Sequence, residues 1–211
     1  MQHKPYGPYE KYIKRPQDFL CALLAIIVLS PVILIVSLLV RIELGSPVLF
    51  TQDRPGKDGK VFKMYKFRTM MPPKEGIIDP KDDAKRLTPF GQKLRATSLD
   101  ELPELFNILK GDMSVVGPRP LLTQYLDRYT AHQARRHEVR PGFTGLAQVR
   151  GRNSISWEEK FDWDVKYVDH ITFLGDWEII FETVRTVLKR EGISAAGEAT
   201  MEEFMGTEIE K

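Results

Sequence analysis

Two adjacent carboxylates, Asp100 and Glu101, stand in the segment RATSLDELPELFNILKGD, and their types and spacing could do chemistry. Neighbouring negative charges repel, so such a pair demands compensating cations. Arg95 and Lys93 are close in sequence, and Lys66, Arg68 and Arg119 are available from elsewhere in the chain. A purely structural role also accounts for the pair. Ser98-Leu99-Asp100-Glu101 fits a capping box with Ser98 at N-cap and Glu101 at N3. Acidic residues in a first helical turn also suit the helix dipole. Pro103 disturbs that frame, because it falls at N5, where a helix needs the N–H that proline lacks. Either the first turn is distorted or the main helix begins at Pro103. An irregular start of that kind leaves backbone N–H groups free and can host a phosphate. The sequence holds no P-loop, no glycine-rich dinucleotide fingerprint and no nucleophile elbow.

The elements that must position these residues can be read from the rest of the chain. Its 211 residues are 42% apolar and 28% charged with a formal net charge of +2, which suits one compact domain plus an attachment segment and gives no sign of a general nucleic-acid binder. Cys21 is alone, so no disulfide within the chain and no cysteine zinc site can form, which fits a reducing compartment. His132 and His137 are five apart and read as surface residues rather than as a metal pair.

Residues 19 to 40 are apolar and uncharged. As a helix, 22 such residues reach roughly 33 Å, against roughly 30 Å for a bilayer core. Pro31 takes the N–H away from the carbonyl of Ile27, and the Ser30 hydroxyl can bond back to a freed carbonyl. Lys4, Lys11, Lys14 and Arg15 precede the run, and Arg41, Arg54, Lys57 and Lys60 follow it. Equal basic flanks give no orientation and favour the cytoplasm for both ends. A helix that bends at Ser30-Pro31 and leaves by the face it entered satisfies both facts; a kinked span remains open on the residues alone.

PVLFTQ and KVFKMYKFRTM read as strands joined by the turn DRPGKDGK. Residues 71 to 86 read as a mobile polar loop. Helices are expected around 87–95, 99–110 (ending at Gly111), 121–138 and 176–190. The last carries Trp177, Ile180, Phe181, Val184 and Leu188 on one face, suited to a core or to a membrane interface. The tail after Gly192 is expected to pack poorly. The expected class is α+β: a mostly helical small domain with short strands, anchored by a helix-break-helix hairpin and interfacial helices. The expected divisions are 1–41 for the membrane segment, 42–192 for the catalytic domain and 193–211 for the tail.

The blocks LSPVIL, FTQDRPG, YKFRTM, TSLDELPELFNILKGDMSVVGPRPLL and VRPGFTGLAQVRGRNSISWEEKFDWDVKYV resemble the bacterial sugar transferases, and more narrowly the small monotopic phosphoglycosyl transferases that initiate bacterial protein glycosylation. The resemblance runs from about residue 10 to the C-terminus. It implies a re-entrant helix broken at Ser30-Pro31, a catalytic dyad at Asp100 and Glu101, Mg2+ held by Glu101, and a covalent aspartyl-phosphosugar intermediate. It implies phosphate-binding Lys66 and Arg95, with Arg68 in the same role, and a Pro118-Arg119-Pro120 loop whose Arg119 joins them. The implied substrates are a UDP-sugar donor and a polyprenyl (undecaprenyl) phosphate acceptor. The implied setting is the cytoplasmic face of the bacterial inner membrane, among bilayer lipids and downstream glycosyltransferases, with no nucleic acid. Two rivals stand beside it: a bitopic scaffold, and a membrane-linked phosphohydrolase using Asp100 with water as acceptor. The hairpin reading requires that cysteines introduced near residues 3 and 205 both be labelled from the cytoplasmic side of intact cells; labelling of either from outside would sink it.

Overall fold

The hydrophobic run forms one element. In the computed structural model, which describes residues 3–72, 86–151, 155–189 and 203–207, helix α1 extends from Lys14 to Leu44 after a π-helical turn at Tyr9–Ile13. Pro31 lies inside it. The Ser30 hydroxyl donates to the Ile27 carbonyl at 2.8 Å, the acceptor that Pro31 leaves without its N–H. With that carbonyl satisfied, α1 continues through Ser30-Pro31, and the expected division into two helices is not shown. Leu24, Ile27, Val28, Leu34, Ile35 and Leu38 are exposed, an apolar surface long enough to cross or enter a bilayer.

Both ends of α1 are tied to the rest of the domain. Near its start, Lys14 Nζ donates to Asp176 at 2.7 Å, Asp18 accepts from the Val115 amide at 3.2 Å, and Arg15 donates to the carbonyls of Ile108 and Leu109 at 2.7 and 3.0 Å. At its end, Val36, Val40 and Leu44 are buried in the main core with Met64, Phe67, Leu94, Leu102, Leu105, Ile108 and Met113.

The expected hairpin is present. Strands β1 (Leu49–Pro55) and β2 (Val61–Phe67) pair antiparallel from Leu49 opposite Phe67 to Pro55 opposite Val61. The outer edge of β2 is closed by a fully buried side chain, Asn107, which accepts from the Tyr65 amide at 3.0 Å and donates to the Lys63 carbonyl at 2.8 Å. Helix α2 (Pro89–Ala96) begins with Thr88 as N-cap, its hydroxyl accepting from the Gly91 amide at 3.0 Å. A Cβ at Gly91 would sit 1.9 Å from the Thr69 carbonyl oxygen, so only glycine lets α2 pack this close to the chain leaving β2.

The helix expected at 99–110 is split. A 3-10 turn covers Leu99–Glu101, and α3 covers Glu104–Lys110 with Gly111 closing it in the left-handed region at φ 95°. Ser98 sits at φ 56° and makes no side-chain cap bond, so the capping box does not form. The left-handed turn at Ser98 and the proline at the N-cap of α3 divide the segment. Strand β3 (Ser114–Val116) pairs parallel with β4 (Gly142–Thr144). The expected helix at 121–138 is three short pieces: a 3-10 turn at Thr123–Arg128, α4 at Ala131–Ala134 under a Thr130–Gln133 capping box, and a second 3-10 turn at Arg135–Glu138. Helix α5 spans Leu146–Arg150.

Two longer helices finish the domain, α6 (Trp157–Asp169) and α7 (Phe173–Lys189). Helix α6 is not among the expected elements, although its N-cap Ser156 and the apolar spacing Trp157, Phe161, Val165, Val168 are a clear helix signal. Helix α7 meets the core through Asp176 and Ile179, both buried, while Phe181 and Val184 of the expected apolar face point outward, 66% and 52% exposed. The described part of the tail corrects the expectation of poor packing, because Phe204 is buried in an aromatic cluster with Tyr125 and Phe161. Most of the loop expected at 71–86, namely 73–85, lies outside the described residues.

Burial and then the neighbouring Arg136 lower the His137 pKa from 6.5 to about 4, and its buried Nε2 has no hydrogen bond. At this residue the unfolded chain therefore binds more protons between these values, so the contribution of His137 to stability falls as pH drops from 6.5 toward 4, while the raised carboxyl pKa values of buried Asp100 and Glu104 act in the opposite direction. Denaturant melts of the wild type and His137→Gln should diverge in the variant's favour as pH drops through that range; a stability difference that does not change with pH would overturn the assignment to His137.

Candidate active site

Three separate segments meet at one carboxylate oxygen. Glu101 Oε1, on the 3-10 turn, accepts from Lys66 Nζ of β2 at 2.7 Å and from Arg119 of the loop after β3. Lys66 is carried there because β2 is locked to α3 by Asn107. Arg119 is carried there by a loop fixed between Pro118 and Pro120 and held from behind, its carbonyl accepting from Arg136 at 2.6 Å. The Arg119 side chain also reaches the Phe143 carbonyl at 3.4 Å. Burial works against a charged Glu101, but Arg119 and Lys66 outweigh it and hold the carboxyl well below its usual range.

Asp100 behaves oppositely. It is buried, and its carboxylate makes no hydrogen bond or ion pair among the described residues. Burial first, and the Glu101 charge second, push its pKa up to about 6, with Lys66, Arg95 and Arg119 pulling the other way. At neutral pH roughly nine in ten such groups are ionised. The dyad is thus one carboxylate neutralised by two cations beside one that is mostly ionised and, among the described residues, unengaged.

Arg95 stands at the end of α2, its Nε donating to Thr69 Oγ1 at 3.0 Å, and it acts on Asp100 through its charge. Arg68 is occupied elsewhere: its guanidinium donates to the carbonyls of Leu44 and Ser46, the latter at 3.1 Å, where α1 ends. Lys93 is exposed on α2. Ser30 and Pro31 belong to α1 and not to this cluster.

Two residues of the site were not read from the sequence. Glu104, the first residue of α3, is wholly buried; neither carboxylate oxygen has a hydrogen bond, and Lys66 Nζ lies 3.3 Å away. Burial, then the Glu101 charge, push its carboxyl upward. Arg54 on β1 buries Nε and Nη1 without hydrogen bonds, while its Nη2 donates to Gln52 at 2.7 Å. Burial and then Arg119 lower the Arg54 pKa to about 10. Nothing local in sequence marks either one, since only the fold brings β1 and the start of α3 to the Arg119 loop.

The donor set suits a hard cation in one respect. Glu101 Oε1 takes both Lys66 and Arg119, which leaves Oε2 free of any bond among the described residues. No cluster of three metal-ligating side chains occurs among those residues. Magnesium usually takes one or two carboxylates and completes its shell with water and phosphate oxygens, so Glu101 beside a bound diphosphate fits it.

Comparison with known proteins places the chain. Residues 9–190 match the model of the bacterial sugar transferase family, and the chain belongs to that family. It is 50% identical over 195 residues to an uncharacterized sugar transferase, EpsL, of Bacillus subtilis, covering 92% of this chain and 96% of that protein. It is 37% identical to the undecaprenyl-phosphate galactose phosphotransferase of Salmonella typhimurium, over 86% of this chain and 42% of that protein. It is also 37% identical to the UDP-glucose:undecaprenyl-phosphate glucose-1-phosphate transferase of Klebsiella pneumoniae, over 85% of this chain and 41% of that protein. The chain therefore spans about two fifths of these two longer relatives and nearly all of EpsL.

Arg95→Ala removes a charge that favours ionised Asp100 and a single bond to Thr69. Loss of most activity with an unchanged melting curve is expected, since an ordinary partly exposed ion pair contributes about 1 kcal/mol at most. Near-normal activity would remove Arg95 from the site.

Proposed function

We propose that this protein transfers a sugar 1-phosphate from a UDP-sugar to a polyprenyl phosphate, releasing UMP, as a first membrane step of glycoconjugate assembly. The observation that carries this reading is the contrast within the dyad: buried Asp100 is mostly ionised and has no partner among the described residues, while Glu101 beside it is neutralised by Lys66 and Arg119. The relatives named as undecaprenyl-phosphate sugar-phosphate transferases supply the substrate classes.

In this reading an Asp100 carboxylate oxygen attacks the sugar-linked phosphorus, and the bond from that phosphorus to UMP breaks. The phosphosugar is then held as an acyl phosphate on Asp100. An oxygen of the lipid phosphate attacks the same phosphorus and returns Asp100 as a free carboxylate. Two easier displacements replace one transfer, and donor and acceptor can use the site in turn. In this reading Arg119, Lys66 and Arg95 balance the donor's negative charge, a task for which preformed charges need no reorganisation. Glu101 Oε2 is the group that would hold magnesium, which when bound neutralises diphosphate charge.

We further infer a monotopic placement on the cytoplasmic face. Both ends of α1 are fastened to one small domain, Arg15 to the end of α3 and Leu44 to Arg68, whereas a straight 31-residue helix would separate its ends by about 46 Å. The equal basic flanks support the same course. The outward apolar face of α7 suits the headgroup region.

Asp100→Asn should abolish turnover with little loss of stability, whereas a role in the helix dipole alone would cost about 0.3–1 kcal/mol and leave activity intact. With donor and magnesium but no acceptor, the wild type should release UMP and gain one phosphosugar on the Asp100 peptide. The adduct should vanish when polyprenyl phosphate is added. If rapid-quench mass spectrometry finds no adduct and kinetics require both substrates bound together, Asp100 is not the nucleophile and direct attack by the lipid holds. Release of free sugar phosphate to water would instead favour the phosphohydrolase reading.

A further inference from the structure

Residues 203–207 lie beyond the stretch that matches the family, yet they are packed into the domain. Phe204 is 2% exposed. Its ring meets Phe161 edge-on at 5.0 Å between centroids, Trp157 at 5.6 Å and Tyr125 at 5.7 Å, and stacks on Tyr129 at 5.8 Å. Polar bonds hold the backbone on both sides of it. The Phe204 amide donates to the Tyr125 hydroxyl at 3.3 Å, Arg128 donates to the Phe204 carbonyl and to Glu203 at 2.9 Å, and Gln133 donates to Thr207 at 2.7 Å.

The same rings carry a buried cation. The Arg136 guanidinium lies 5.8 Å from the Tyr129 ring and 5.6 Å from the Phe161 ring, and it donates to Asp164 at 2.8 and 3.0 Å. Its Nη2 also donates to the Arg119 carbonyl at 2.6 Å, its Nη1 donates to the Tyr129 hydroxyl at 3.4 Å, and Arg119 holds Glu101. An unbroken succession of contacts thus runs from Phe204 through Tyr129 and Phe161 to Arg136, then Arg119 and the dyad.

We propose that residues 203–207 are a clamp that positions Arg119, with Phe204 as a positioning residue acting through Tyr129, Phe161 and Arg136. The proposal rests on the role given above to Arg119 at the donor. Without the Phe204 ring, Tyr129 and Phe161 line a void and can relax into it. Arg136 then loses the aromatic platform that fixes it, and the Arg119 backbone loses its donor.

The test uses the full chain with Phe204→Ala, Phe204→Leu and Arg128→Ala, the last releasing the segment without opening the core. The KM for the UDP-sugar should rise roughly tenfold to a hundredfold in Phe204→Ala and Arg128→Ala, because small misplacements of a binding group are costly. The KM for polyprenyl phosphate should stay unchanged, and Phe204→Leu should recover most of the loss. Hydrogen exchange of the backbone at residues 117–122 should quicken in the same two variants. That readout needs no turnover, so a wild type that transfers no phosphosugar would end the transferase reading and leave the clamp to be judged by exchange. A fall in kcat alone, with KM and exchange unmoved, would overturn the clamp. If Phe204→Ala fails to fold, Arg128→Ala decides: unchanged donor KM and unchanged exchange in that variant would also overturn it.

Discussion

The arrangement of the site depends on Glu101 Oε1 being shared by two cations that come from different parts of the chain. Without Lys66 and Arg119, adjacent carboxylates in a poorly solvated place would repel, and one would take up a proton. With them, the charge of Glu101 is cancelled locally and Asp100 can remain ionised. Such a cluster is a weak source of stability, because desolvation offsets much of the attraction. The cluster is better understood as a constraint on relative position. It fixes where the hairpin, the 3-10 turn and the proline loop stand with respect to one another.

Each of those segments is held from behind by a group that never touches the dyad. Asn107 closes the edge of β2 and so sets Lys66. Gly91 lets α2 lie against the Thr69 carbonyl, which brings Arg95 to the Thr69 hydroxyl. Arg136 donates to the Arg119 carbonyl. The charges face inward on rigid supports, and the supports are ordinary backbone hydrogen bonds and close contacts.

The legible parts of the sequence were those fixed by local chemistry. The β1–β2 hairpin followed from its alternation and its Gly-containing turn, and Gly111 marked the end of α3 through its left-handed backbone. Pro103 correctly flagged an irregular start at the dyad, although the capping box at Ser98 did not form. What escaped was set by long-range packing. Arg68 sits two residues after Lys66 in sequence, but β2 ends at Phe67 and Arg68 turns to the end of α1. Glu104 looks like an ordinary surface residue of a helix first turn until α3 is seen buried against β2 and α1. Phe204 gave no signal because its aromatic partners are distributed over Tyr125, Tyr129, Trp157 and Phe161.

The fastening of α1 at both ends makes this helix a structural strut rather than a removable anchor. Cutting the chain after Leu44 would strip Val36, Val40 and Leu44 from the main core and uncover Met64, Phe67 and Ile108. It would also leave Asp176 without Lys14, and the carbonyls of Ile108 and Leu109 without Arg15. A water-soluble catalytic fragment is therefore not obtained by trimming the greasy end; the lipid-facing residues would have to be recoloured polar in place, with the inward residues of the strut kept. Any such redesign has to keep the contacts by which the strut meets α3 and the chain just after β2.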